Sequence, residues 1–385
     1  MKIVADQAIP FVSRFFSSLG NLVLCDGRRI SRSDLLDAEM LVVRTVTRVN
    51  RELLEGTSVR IVATATSGYD HVDLHYLRER GIHFAHALGC NARSVAEYVL
   101  SSLFVLADQK QLNLTELTVG IIGCGQVGSC LYDFLQTLGI RCLLNDPPLQ
   151  QQGSNLPFCR LEDVLGADII SLHVPLIKSG PWPTWHLLNR ERLASINKEA
   201  VLINASRGGV IDEAALEDFI KGAPQSSVVL DVWENEPDIN QSLLQKTLIS
   251  TPHIAGYSTD AKLRGTLAVF KQVCQFLNKP FNNSILPELP EPETSRIDLT
   301  GFDKTIDAIQ MAVLASYDVR TDSGALKQSL DVKQENKADY FADLRNNYAV
   351  RREFTAMTVL LAGSSAPLNQ QLRKLGFKVE QLSAN

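Results

Sequence analysis

Apolar residues fall in two rhythms along this chain. Short β-branched and aliphatic runs open it: MKIVAD (1–6), NLVLCD (21–26), MLVVR (40–44), VRIVATATS (59–67) and IHFAHA (82–87). Between several of them lie amphipathic stretches such as FVSRFFSSL (11–19). That alternation predicts a parallel sheet covered by helices. SVAEYVLSSLFVLA (94–107) is apolar almost all round, which predicts a buried helix and a long connector between domains. A second alternating set follows: LTVGIIG (117–123), RCLLND (141–146), ADIISLHV (167–174), AVLINAS (200–206), SSVVLDV (226–232) and TLISTPHI (247–254). Six strands with helical patterns among them predict a second doubly wound sheet. LRGTLAVFKQVCQFL (263–277) reads as a helix returning toward the first domain.

Around 278–295 prolines gather and large apolar residues thin out, the mark of a linker. Beyond it RIDL (296–299), ASYDV (315–319), TAMTVLLAG (355–363) and FKVEQL (377–382) read as strands. TIDAIQMAVLA (305–315), ADLRNNYAVRREF (342–354) and NQQLRKLG (369–376) read as helices. The expected fold is α/β: two doubly wound parallel-sheet domains and a small α+β C-terminal domain. The boundaries are 1–92 with 256–285, then 93–255, then 286–385.

The 385 residues are 45% hydrophobic and 21% charged, as in ordinary soluble globular proteins. A net charge of −5 argues against non-specific nucleic-acid binding. No apolar stretch approaches the length that spans a bilayer, so no membrane partner is expected. MKIVADQAIP carries no apolar signal region, which leaves a cytoplasmic location as the expectation. The seven cysteines are scattered without a CxxC and there is no HExxH, so neither disulfides nor a metal is expected. His71 and His75 stand four apart but lack a third ligand, and read as surface residues of a short helix.

Two constellations carry chemistry. The first is Gly123-Cys124-Gly125-Gln126-Val127-Gly128, between the strand TVGII and a helical pattern. Its glycines suit a tight turn, the approach of a pyrophosphate and close helix–strand packing, as in the Rossmann dinucleotide fold. Asp146 closes the next strand, where an acid accepts from a ribose hydroxyl and repels a 2′-phosphate. With prolines following instead of an arginine, NAD is expected over NADP.

The second is a set of three polar residues at the ends of successive predicted strands. Arg207 follows LINAS, Glu236 lies in VVLDVWENEP (228–237) and His253 in ISTPHIAG (249–256). A histidine titrates near working pH, a carboxylate holds its ring, and an arginine forks onto a substrate carboxylate. NASRGGVIDEAAL, VVLDVWENEP and TPHIAG closely resemble signatures of the D-isomer-specific 2-hydroxyacid dehydrogenases. GYDHVD (68–73) and NARSVAEYVL (91–100) resemble that family's first-domain and hinge-helix motifs. The resemblance implies His253 as general acid/base, Glu236 as its partner and Arg207 as substrate anchor. It also implies cofactor contacts from Val174, Ala205, Ser206, Asp231 and Gly256, with Asp231 toward the nicotinamide.

Further segments, among them LVVRTVTRVN (41–50), HVPLIKSGPWPTWHL (173–187) and LRNNYAVRREF (344–354), resemble one branch of that family. Its members oxidise a phosphorylated four-carbon 2-hydroxy acid to the 2-oxo acid, an early step toward pyridoxal 5′-phosphate. They form homodimers through a C-terminal dimerisation domain. The resemblance implies substrate contacts from Thr45, Thr66 and Tyr257. The backbone near Ser67 and Gly68 is expected to meet the carboxylate, and Arg44 the phosphate. Val174 replaces a threonine of the family pattern, removing one hydroxyl from the cofactor contacts. A 3-phosphoglycerate dehydrogenase and an NAD-sensing corepressor-like binding protein stay open as alternatives.

Overall fold

The computed structural model describes residues 1–302, 304–362 and 366–382. Contacts divide the chain into two compact units. The first comprises Met1–Asn91 and Ser258–Pro290. Its strands are β1 (Lys2–Asp6), β2 (Asn21–Cys25), β3 (Met40–Val43), β4 (Ile61–Thr64) and β5 (His83–His86). They form one parallel sheet in the order β2-β1-β3-β4-β5. β3 and β4 are buried along their whole length, which explains why they read as unbroken apolar runs. One face packs on Phe15, Phe16, Val269 and Phe270, the other on Leu35, Leu54, Tyr76 and Leu77. Helix starts are set by side chains that satisfy first-turn amides. Asn50 accepts from Leu53 N at 3.1 Å, Asp73 from Tyr76 N at 2.9 Å and Ser258 from Ala261 N at 2.9 Å. Because Asp73 caps, the helix begins at Leu74 and holds only His75. His71 lies in the preceding loop, its Nε2 3.1 Å from Thr64 Oγ1, contrary to the expected shared helix.

The second unit comprises Ala92–Tyr257 and Glu291–Asn385. Its main sheet contains β6 (Thr118–Ile122), β7 (Arg141–Asn145), β8 (Ile169–Leu172), β9 (Val201–Asn204), β10 (Ser227–Leu230) and β11 (Ile249–Ser250). All are parallel, in the order β7-β6-β8-β9-β10-β11. Outside β7 a single parallel bridge joins Leu144 to Phe158. Strand order reverses between β6 and β8, the place where ligands lodge in open α/β sheets. The helix Ala92–Lys110 is buried continuously from Ser94 to Ala107, as its apolar circumference predicts.

The tail adds β12 (Arg296–Asp298), β13 (Thr358–Ala362) and β14 (Lys378–Leu382) as a small parallel sheet in that order. From Glu291 it groups with the dinucleotide-type sheet. The reason is a shared core: Ile309, Val313, Phe354 and Leu372 pack with Val99, Leu103 and Phe104 of the long helix. Burying such side chains is worth about 1.5–3 kcal/mol each. Two local expectations fail in the tail. ASYDV is not a strand: Asp318 accepts from Arg320 N at 3.0 Å and opens a helix, Val319–Lys327. The helix expected over 342–354 instead runs Lys337–Asn346. Beyond it the chain extends because Arg351 is drawn into the interior, donating to Ala255 O at 3.0 Å and Ser94 O at 2.7 Å.

Candidate active site

The glycine loop follows β6. Gly123 has φ +90°, and a Cβ there would press on the His173 carbonyl and the Val174 side chain. Val174, just after β8, therefore lines the loop. Gly128 packs so tightly under Gly123 that a Cβ would strike the Gly123 oxygen, whereas one at Gly125 would meet open space. Gly125 begins the twelve-residue helix Gln126–Thr137, whose N-terminus carries no side-chain cap. A bare helix N-terminus with exposed Gly125 and Gln126 fits a pyrophosphate. Asp146 ends β7 beside this loop: Oδ2 accepts from Cys124 N at 2.8 Å and Oδ1 caps Leu149 N at 3.0 Å. These residues fit a dinucleotide. His173, half-buried after β8, has its basicity pushed down to about 3 by desolvation and is held neutral at 2.9 Å from Ser171 Oγ.

Arg207, Glu236 and His253 leave the C-terminal ends of the adjacent strands β9, β10 and β11. The NASRGG turn is built around Asn204. Its Oδ1 accepts from Ser206 N at 3.1 Å and Ser206 Oγ at 2.8 Å, and its Nδ2 donates to Arg207 O at 2.9 Å. Ser206 is thus buried in the turn, while Ala205 and Arg207 stay half-buried. Both following positions exclude a side chain: a Cβ on Gly208 would collide with the Trp233 backbone, and one on Gly209 with the Trp185 ring. Arg207 donates from Nη1 to Ser206 O at 2.8 Å.

His253 Nδ1 lies 2.8 Å from Glu236 Oε2, and Glu236 Oε1 accepts from Trp233 N at 2.9 Å. His253 adopts φ +57°, a conformation costly for a residue with a side chain. Asp231 compensates. Its backbone oxygen accepts from His253 N at 2.7 Å. Its buried carboxylate accepts from Ile254 N at 2.7 Å, Ala255 N at 3.0 Å and Thr251 Oγ1 at 2.7 Å. Asp231 is therefore a brace for the His253 loop, whatever else it meets. Burial pushes the Glu236 carboxyl up, but His253, Arg345 and the Trp233 amide outweigh it and hold the group below its usual range. The pair is therefore a carboxylate facing a ring nitrogen.

Glu213 also faces this region. Its Oε1 accepts from Glu234 N at 2.8 Å, and burial pushes its carboxyl up to about 7. Glu213 lies within NASRGGVIDEAAL and Arg345 within LRNNYAVRREF, but neither was legible as a site residue, since the contacts that bring them here come from distant segments. Tyr257 Oη accepts from Arg345 Nη2 at 2.8 Å, and half-buried Gly256 precedes it.

The remaining expected positions belong to the first unit. Arg44 and exposed Thr45 follow β3; Thr66, Ser67 and Gly68 follow the adjacent β4. Thr66 Oγ1 donates to Gly68 O at 2.9 Å, and Ser67 Oγ accepts from Gly89 N at 3.1 Å. Arg44 donates from Nε to buried Asp6 at 2.8 Å, so part of its charge is already balanced. Lys262 is a second cation near it: burial, then the charge of Arg44, lowers the Lys262 pKa. Among the described residues no group of three or more His, Cys, Asp or Glu gathers as a metal would need. No helix of the described residues is long and apolar enough to cross a membrane.

Residues 91–255 match the family model described as the D-isomer specific 2-hydroxyacid dehydrogenase, NAD binding domain. Residues 288–376 match a domain of unknown function, DUF3410. The D-lactate dehydrogenase of Aquifex aeolicus, solved with NAD and lactic acid, superposes with a TM-score of 0.60 at 26% identity. That match covers 72% of this chain and 96% of the other. Fold and site thus define an NAD-dependent dehydrogenase of the D-isomer-specific 2-hydroxyacid class. Within that class two full-length relatives narrow the assignment. The erythronate-4-phosphate dehydrogenase of Marinobacter nauticus is 42% identical over 99% of this chain and 100% of its own length. That of Cronobacter sakazakii is 44% identical over 98% of each. The chain belongs to the erythronate-4-phosphate dehydrogenase family.

Proposed function

We propose that this protein oxidises 4-phospho-D-erythronate to (R)-3-hydroxy-2-oxo-4-phosphooxybutanoate with NAD, a step of pyridoxal 5′-phosphate biosynthesis. The observation that carries the reading is the His253–Glu236 pair, 2.8 Å apart at the ends of β11 and β10, with Arg207 on the neighbouring strand end. NAD, when bound, would supply the hydride acceptor for C2. Gly123, Gly125, Gln126, Val127 and Gly128 would hold its pyrophosphate. Asp146 would meet its ribose, and Val174, Ala205, Ser206, Asp231 and Gly256 would complete its contacts.

Arg207 forks onto the substrate carboxylate and polarises the forming carbonyl. Glu236 accepts a hydrogen bond from the Nδ1–H of His253, which leaves Nε2 to accept the hydroxyl proton. Glu236, kept ionised, then supports the imidazolium. Thr45, Thr66, Ser67, Gly68 and Tyr257 bind the substrate. Arg44, helped by Lys262, supplies positive charge for the phosphate. The protein works as a cytoplasmic homodimer joined through the tail. Met311 and Val350, apolar and 44% and 60% exposed on that tail, are available to such a contact.

The test is a spectrophotometric assay of NADH with 4-phosphoerythronate, 3-phosphoglycerate and erythronate. Turnover confined to the first supports the reading. Faster turnover of 3-phosphoglycerate, or no turnover alongside NAD-dependent capture of a protein partner, sinks it.

A further inference from the structure

The tail reaches the acid–base pair. Arg345 stands in the last turn of the helix Lys337–Asn346, with a side chain only 23% exposed. Its Nη1 lies 4.0 Å from Glu236 Oε2, the oxygen that faces His253 Nδ1. Its Nη2 donates to Tyr257 Oη at 2.8 Å, and its guanidinium carbon sits 5.6 Å from the centre of the Tyr257 ring. Tyr257 packs edge-on against Tyr348 of the tail, with ring centres 5.9 Å apart. Tyr348 Oη in turn donates to Asp322 at 2.7 Å, which also takes Tyr317 Oη at 2.7 Å. Six residues beyond Arg345, Arg351 holds Ala255 O, two residues from His253. The segment 253–257 is thus gripped from the tail at Ala255 and Tyr257.

We propose that Arg345 is a positioning residue of the reaction: from the C-terminal segment it holds the Glu236 carboxylate against His253 and sets the pH at which that pair works. The inference rests on the reading of His253 as the acid/base. Stability alone is a poor explanation for Arg345. Among the described residues its buried Nε has no hydrogen-bond partner, and its ion pair is long. An ion pair of this length is weak evidence for a stabilising role, because desolvation offsets much of its attraction.

Its electrostatic effect is definite. A positive charge beside Glu236 favours the carboxylate and opposes a second positive charge on the ring, so it eases release of the proton that His253 takes from substrate. Arg345 is among the groups that lower the Glu236 pKa, after burial, which raises it, and His253. The other charged or titratable groups packed about the pair are Asp231 under the His253 loop, Glu213 with Glu234 on the β10 side, and Tyr257.

The experiment compares pH profiles of kcat/KM for oxidation by the full-length protein and its Arg345→Met, Arg345→Lys and His253→Ala variants. Melting temperature and NAD binding are followed in parallel. With the cation gone the imidazolium gains stability, and the ring must lose its proton at higher pH before it acts as a base. Arg345→Met therefore moves the acid limb upward by about half a pH unit or more, and, with Glu236 no longer held against the ring, it lowers kcat about tenfold. Arg345→Lys returns the limb to its wild-type place. If Arg345→Met does not fold, Arg345→Gln, which removes the charge and keeps a donor for Tyr257, carries the same test.

An unmoved limb with a raised KM makes Arg345 a substrate anchor, and an unmoved limb with only a lower melting temperature makes it structural. Either result overturns the inference. Activity and an intact acid limb in His253→Ala would instead overturn the acid/base reading itself, whatever Arg345 does.

Discussion

Glu236→Gln isolates the charge in the reacting pair while keeping its shape. The carboxylate serves two donors at once: Oε1 takes the Trp233 amide at 2.9 Å and Oε2 faces His253 Nδ1 at 2.8 Å. A glutamine has one oxygen and one NH₂, so it satisfies one donor and presents hydrogens to the other. If the oxygen stays on Trp233, His253 loses its partner, and the ring no longer keeps its proton on Nδ1. If the amide flips, the buried Trp233 N–H is orphaned and the turn that presents Glu236 loosens. Either way a charge-assisted bond is lost, worth about 1.5–3 kcal/mol. The loss grows as positive charge develops on His253, so it falls mainly on kcat. A drop of about 10–150-fold is expected from that range. KM for NAD is expected to stay within about twofold, because the glycine loop belongs to β6, three strands from β10. Steady-state NADH formation at saturating 4-phosphoerythronate measures both. A kcat within about threefold of wild type would refute the claim that the Glu236 charge supports the imidazolium.

Other outcomes follow from the same geometry. Gly208→Ala drives a methyl into the Trp233 backbone and is expected to displace Arg207, raising KM for substrate at least about tenfold; an unchanged KM counts against the turn's role. Lys262→Met is expected to raise KM for the phosphorylated acid several-fold and leave KM for unphosphorylated erythronate alone, and equal changes would remove Lys262 from the phosphate contacts. Glu213 gives a pH signature in stability. Burial raises its carboxyl from 4.5 to about 7, so its contribution is full below about 4.5 and is lost as pH rises through 7. Glu213→Gln is therefore expected to raise the melting temperature relative to wild type at pH 8 and not at pH 5, with an upper bound of about 3 kcal/mol. Equal melting shifts at both pH values would contradict it.

The sheets were legible because strands buried on both faces leave unbroken apolar runs, and β3, β4, β8 and β9 are buried throughout. The ends of those strands were legible too, since NASRGG, WENEP and TPHIAG carry their polar residues at fixed places after apolar runs. What escaped was set by distant contact. NNYAVRREF has helical composition, yet Arg351 bonds to the carbonyls of Ala255 and Ser94, 96 and 257 residues away, and these bonds pull the segment out of a helix. The Arg44–Asp6 pair, 38 residues apart, and the Arg345–Tyr257 bond, 88 apart, leave no local trace either. The edge pairing at Phe158 is a single bridge, too short to produce a pattern. ASYDV misled because β-type residues flank an aspartate whose capping bond favours a helix start.

The account stands on His253 as the group that exchanges the substrate proton. Its most direct measurement is the turnover of His253→Ala with 4-phosphoerythronate and NAD, read beside NAD binding by the same preparation. A loss of about 10²–10⁴-fold in kcat with NAD binding intact is the predicted result. Turnover within a few-fold of wild type would contradict it.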